Sequence, residues 1–126
     1  MGGRGASSSI AKVGFSKNQM LNEISSIKNN AYNNYKETLD KARKDTGLWD
    51  ANEMPQNVID KLNYYSGKQQ MANMLEETNK EFGLKTNELK KEIDYRKNIL
   101  KDEDLNDNFN KGMYDTLKDL EKFIKK

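Results

Sequence analysis

Met20, Leu21, Ile24, Ile27, Ala31, Tyr35, Leu39 and Ala42 recur at steps of three and four residues, which puts them on one face of a helix roughly seven turns long. A strand would instead need its apolar residues at every second position. No valine-rich alternating run occurs anywhere in the chain, so strand content close to none is expected. Ser16 or Asn18 suits the start of this helix and Gly47 its end, with Arg43 and Lys44 in the last turn, where positive charge complements exposed carbonyls.

Beyond Gly47 come Leu48 and Trp49, then a short polar connection to Pro55. Proline is acceptable in a first helical turn, because its missing N–H would have no intrahelical partner there. Val58, Ile59, Leu62 and Tyr65 form the next apolar face, followed by Met71, Met74, Leu75, Thr78 and Phe82. These two patterns are separate helices if Ser66 and Gly67 make a turn, and one long helix if the chain merely bends at Gly67. Gly83 stops the pattern and Thr86 starts another, with a lean stripe of Leu89, Ile93 and Leu100. Leu105, Phe109, Met113, Leu117, Leu120 and Ile124 make the final stripe. Asp102, Glu103 and Asp104 lie at its expected start and Lys122, Lys125 and Lys126 at its end, in agreement with the helix dipole.

The expected architecture is all-α: a small antiparallel bundle of three to five helices, in which short connections make successive helices neighbours. At 126 residues the chain suits one helical domain over 16–126, preceded by a flexible basic Gly/Ser arm over 1–15. Ile10, Val13 and Phe15 offer the arm a way to dock its distal half on the helices. Only 34% of residues are apolar, against roughly 45–50% in ordinary globular chains. A thin core is expected, with some apolar surface completed by a partner. Tyr35 and Tyr65 are assigned to that core. Trp49 sits in a polar connection rather than in a stripe and is the best single interface anchor.

Cysteine and histidine are both absent, which removes disulfides, thiol nucleophiles, serine–histidine triads and imidazole- or thiolate-ligated zinc. No cofactor site is read, and the chain is expected not to be an enzyme. The carboxylates Asp102, Glu103, Asp104 and Asp107 lack the glycine turn and twelve-residue spacing of a calcium loop, so they are assigned to a helix start. The beginning of the sequence has no apolar leader and no segment approaches 18 apolar residues, so a cytoplasmic protein without membrane contact is the expectation.

Charged residues make up 33% of the chain, yet 22 Lys and Arg stand against 20 Asp and Glu. A net charge of +2 does not by itself mark a nucleic-acid binder. Local excess is found in two places. Gly2, Gly3 and Gly5 leave Arg4 free to present its fork of donors to a phosphate or carboxylate, and Lys90, Lys91, Arg96, Lys97 and Lys101 outnumber their acidic neighbours. Arg4, Trp49 and those five residues are the candidate partner-binding set. Within Leu62–Leu75, Lys68, Gln69 and Gln70 would open a recognition helix if Gly67 were the turn of a helix-turn-helix.

The tract Gly2 to Ser9, GGRGASSS, resembles the starts of small accessory proteins encoded in prophages and phages of Gram-positive bacteria. The resemblance implies a phage-encoded interaction protein in the host bacterial cytoplasm, within a population that includes anti-CRISPR inhibitors of nucleases. A protein or nucleoprotein partner is therefore expected. The alternatives are direct DNA or RNA binding by the basic residues and a phage assembly component acting as a homo-oligomer.

Overall fold

The computed structural model describes residues 17–125, so the arm over 1–15, Arg4 and the capping candidate Ser16 lie outside the described residues. Four helices follow one another: α1 (Lys17–Thr46), α2 (Gln56–Phe82), α3 (Thr86–Lys101) and α4 (Asn108–Lys125). A single 3-10 turn, Ala51–Glu53, interrupts the connection between α1 and α2, and there is no strand among the described residues. The all-helical bundle expected from the apolar periodicity is the observed fold.

Helix ends follow local chemistry. Gly47 and Gly83 adopt positive φ, 74° and 58°, conformations that cost glycine little and let the terminal N–H turn back onto the helix. Gly47 N–H donates to Arg43 O at 2.9 Å, and Gly83 N–H donates to Asn79 O at 2.7 Å. The start of α4 departs from expectation. Asp107, not the Asp102–Asp104 run, caps it: its Oδ1 accepts from Phe109 N at 2.9 Å and Asn110 N at 3.2 Å. Asp102, Glu103, Asp104 and Leu105 belong to the connection, where Asp104 Oδ1 accepts from Asn106 N at 2.9 Å.

α2 is continuous through Ser66 and Gly67, which settles the choice between a turn and one long helix. Gly67 is there for packing. It is buried, and a Cβ at this position would lie 2.0 Å from Phe109 O on α4. The reciprocal contact is made by Gly112, whose added Cβ would lie 2.1 Å from Tyr64 O. Tyr64 reaches Asp115 and Lys68 reaches Asp119, so α2 and α4 advance in the same direction. Successive helices do pack as expected for α1 with α2 and for α3 with α4, while the α2–α4 pairing is as extensive as α1–α2.

The main core gathers Met20 and Ile24 of α1, Met71, Ala72 and Leu75 of α2, Leu89, Ile93 and Leu100 of α3, and Leu117 and Leu120 of α4. Each helix contributes a stripe that water would otherwise wet, at about 25 cal/mol per Å² of apolar surface removed. Among the described residues Thr116 is the buried polar side chain, and its hydroxyl donates to Gly112 O at 3.0 Å. Ala31, Ala42, Met54 and Leu62 are buried outside this cluster and extend the seam of the α1–α2 hairpin toward its tip. Tyr35 and Tyr65, assigned to the core from sequence, are only half-buried. No helix is long and apolar enough to cross a membrane among the described residues.

Candidate functional site

The α1–α2 connection is short and heavily bonded. Thr46 Oγ1 donates to Ala42 O at 2.7 Å and accepts from Leu48 N at 3.1 Å, so the chain leaves α1 on a fixed course. Asp50 then caps the 3-10 turn, its Oδ1 accepting from Asn52 N at 2.9 Å. Met54 is 4% exposed, with Sδ 3.7 Å from Thr46 Oγ1, and it pins the returning end of the loop. Pro55 O accepts from both Val58 N and Ile59 N, which opens α2.

Trp49 stands on this frame. Its side chain is 74% exposed, the most open of the large apolar residues described, and Leu48 beside it is 39% exposed. Arg43 supports it twice: Nε donates to Trp49 O at 2.8 Å, and the guanidinium carbon lies 3.7 Å from the ring centroid. The cation–π stack covers one face of the indole and leaves the rest open. Asp40 Oδ1 lies 3.9 Å from Arg43 Nη1, a loose ion pair one helical turn away. An indole fixed before binding loses little side-chain freedom on contact, as an interface anchor requires.

The basic set on α3 does not form one surface. Lys90, Lys91 and Lys101 are exposed, whereas Arg96 and Lys97 are half-buried and engaged within the bundle. Arg96 Nε donates to Glu92 Oε2 at 2.6 Å and Nη2 to Thr78 Oγ1 at 3.0 Å, with Nη1 3.9 Å from Met74 Sδ. Lys97 Nζ donates to both Glu121 oxygens at 2.9 Å, and this hydrogen bonding holds its pKa above the usual lysine value. The two residues tie α3 to α2 and to α4. Neither alignment was legible in the charge pattern, which registers numbers of lysines and not the helix opposite.

Lys68, Gln69 and Gln70 lie in the middle of α2, so no recognition helix begins there. Lys68 Nζ sits 3.7 Å from Asp119 Oδ2 and 5.4 Å from the Tyr64 ring centroid. Gln69 and Gln70 instead line an open polar groove of about 420 Å³ with Ser66, Asn73, Lys28 and Phe109. The single cation in that groove is matched, because Lys28 Nζ donates to Glu76 Oε1 at 2.6 Å. Tyr64, missed as a site of interest from sequence, donates its hydroxyl to Asp115 Oδ2 at 2.7 Å. Burial, and then that bond to a carboxylate, push the phenol pKa well above its ordinary value.

No family model, curated protein or solved structure matches this chain. Among the described residues, no three acidic side chains come together in a way that would hold a metal ion.

Proposed function

We propose that this chain is a non-enzymatic interaction protein that binds a protein or nucleoprotein partner through the α1–α2 tip, with Trp49 as its anchor. The observation that carries this reading is the combination of 74% exposure and the double hold of Arg43 on Trp49. An exposed indole in a loose loop would be unremarkable, but one stacked and bonded at the end of a helical hairpin is built for contact. The absence of His and Cys from the sequence supports a binding role over imidazole or thiol chemistry.

Direct nucleic-acid binding draws less support. Of the five basic residues on α3, two are engaged with Glu92 and Glu121, and the exposed three are accompanied by exposed Glu88 and Asp102. A phosphate backbone is best met by contiguous unpaired cations.

Affinity capture tests the proposal. The full chain and its Trp49→Ala variant are immobilised and offered extract of a Gram-positive bacterium, the host class implied by the Gly2 to Ser9 resemblance. A macromolecule retained by the native chain and lost from Trp49→Ala is expected. Retention by both, or by neither at low and moderate salt, counts against the proposal.

A further inference from the structure

The stretch that connects α1 to α2 at this tip carries only negative charge. From Asp45 to Asp60 the sequence carries Asp45, Asp50, Glu53 and Asp60 and no lysine or arginine. Asp45, Asp50 and Glu53 are exposed, beside the exposed Leu48 and Trp49. Asp60 turns back to its own helix, accepting from Gln56 Nε2 at 2.8 Å. The cations nearest in sequence lie on the helices that flank this stretch: Lys41, Arg43 and Lys44 on the last turns of α1, and Lys61, directly after Asp60, on α2; Lys41, Lys44 and Lys61 are exposed. Arg43 is already committed to the Trp49 ring, the Trp49 carbonyl and Asp40.

We infer that the partner surface is a basic protein groove, an apolar slot for Trp49 and Leu48 flanked by lysine or arginine. This rests on the reading of the tip as an interface and names the chemistry that meets it. The apolar centre excludes water while the carboxylate rim selects the partner, the arrangement in which charge governs specificity and encounter rate. A nucleic acid is disfavoured against the connection itself, where its phosphates would meet exposed Asp45, Asp50 and Glu53 before the lysines of the flanking helices.

Trp49 is the chain's single tryptophan, so its fluorescence reports this site alone. The probes are an amphipathic Lys/Leu peptide and a matched Glu/Leu peptide, titrated into the full chain. The Lys/Leu peptide is expected to shift Trp49 emission to the blue, with binding weakened about tenfold between about 50 mM and about 500 mM salt. The Asp45→Asn, Asp50→Asn, Glu53→Gln chain keeps an acceptor at the turn cap and is expected to lose about tenfold in affinity. Its far-ultraviolet circular dichroism and melting confirm that it folds.

An equal response to both peptides, an undiminished response in the neutralised chain, or no response to either would overturn the inference. The outcome is separable from that of the capture experiment. A partner lost from Trp49→Ala yet retained by the neutralised chain leaves the anchor standing and removes the basic groove.

Discussion

Gly67 on α2 and Gly112 on α4 face each other's main chains so closely that a methyl group on either would overlap a carbonyl of the opposite helix, Phe109 O at 2.0 Å and Tyr64 O at 2.1 Å. Two helices rarely approach this near unless both give up a side chain at the crossing. The crossing sets the register by which Tyr64 meets Asp115 and Lys68 meets Asp119. It lies partway along α2, between the four-helix core and the hairpin that carries Trp49.

Replacing glycine by alanine inside a helix ordinarily stabilises it by about 0.5–1 kcal/mol. Gly67→Ala and Gly112→Ala should do the reverse, each costing about 1–3 kcal/mol or more, because the neighbouring atoms are backbone and cannot rotate away. The double variant should lose less than the two single losses combined, since helices already forced apart accommodate the second methyl group. Urea midpoints of the four proteins measure this. A raised midpoint for either single variant would place the helices farther apart.

Arg43 should matter more to the indole than to the fold. Arg43→Lys keeps the charge but loses the planar stack and the fixed Nε donor to Trp49 O. Global stability is expected to change by about 1 kcal/mol or less. Trp49 fluorescence anisotropy should fall as the ring gains freedom on the nanosecond scale. Unchanged anisotropy would mean that the loop, capped by Asp50 and pinned by Met54, positions the indole without Arg43.

Glu76 links acid stability to the α1–α2 seam. Burial alone would raise its pKa, but hydrogen bonds from Lys28 at 2.6 Å and Ser25 at 2.5 Å outweigh burial and hold it below 4.5. A carboxylate with a lowered folded pKa contributes stability above its unfolded value, and that contribution is lost as pH falls through the folded one. Lys97, whose pKa is raised, contributes below its ordinary 10.5 and is silent on the acid side. Glu76→Gln should therefore be less stable near neutrality and show a shallower fall below pH 4.5. Urea midpoints from about pH 7 to about pH 3 provide the comparison. Parallel curves for both proteins would contradict the assignment.

Much of this fold is legible because its signals are local. Gly47, Gly83, Pro55 and Thr86 mark helix ends through φ preference, a missing donor or the start of a new stripe, and each needs only its neighbours in the chain. Gly67 sends the same local signal as Gly83, yet it sits within a continuous helix. What distinguishes it is the main chain of Phe109, which sequence spacing does not reveal. The acidic start of α4 was placed too early for a related reason: of the four carboxylates assigned to a helix start, Asp107 is the one that accepts from two amides of its first turn, while Asp102, Glu103 and Asp104 fall in the connection. Trp49 could be singled out because it interrupts polar residues, but the support of Arg43 six positions earlier could not. The α3 lysines were read as a surface because charge composition is blind to Glu121.

The division of α3 yields a final prediction. Lys97→Ala removes the donor that satisfies both Glu121 oxygens at the α3–α4 interface, leaving a half-buried carboxylate without that cation. The pair is partly solvated, so the expected loss is about 1 kcal/mol rather than the larger cost of a fully buried pair. Arg96→Ala should lose a comparable amount, through Glu92 and Thr78 and through packing of its aliphatic stem. Lys90→Ala, Lys91→Ala and Lys101→Ala should each stay within about 0.5 kcal/mol, because these side chains are exposed. Urea unfolding of the five variants separates the two groups on stability alone. If Lys97→Ala and Arg96→Ala behave like the other three, their bonds contribute nothing to holding the bundle and both cations become available to an external ligand. A salt-dependent gel shift lost only in Arg96→Ala and Lys97→Ala would then return α3 to contention as a phosphate-binding face.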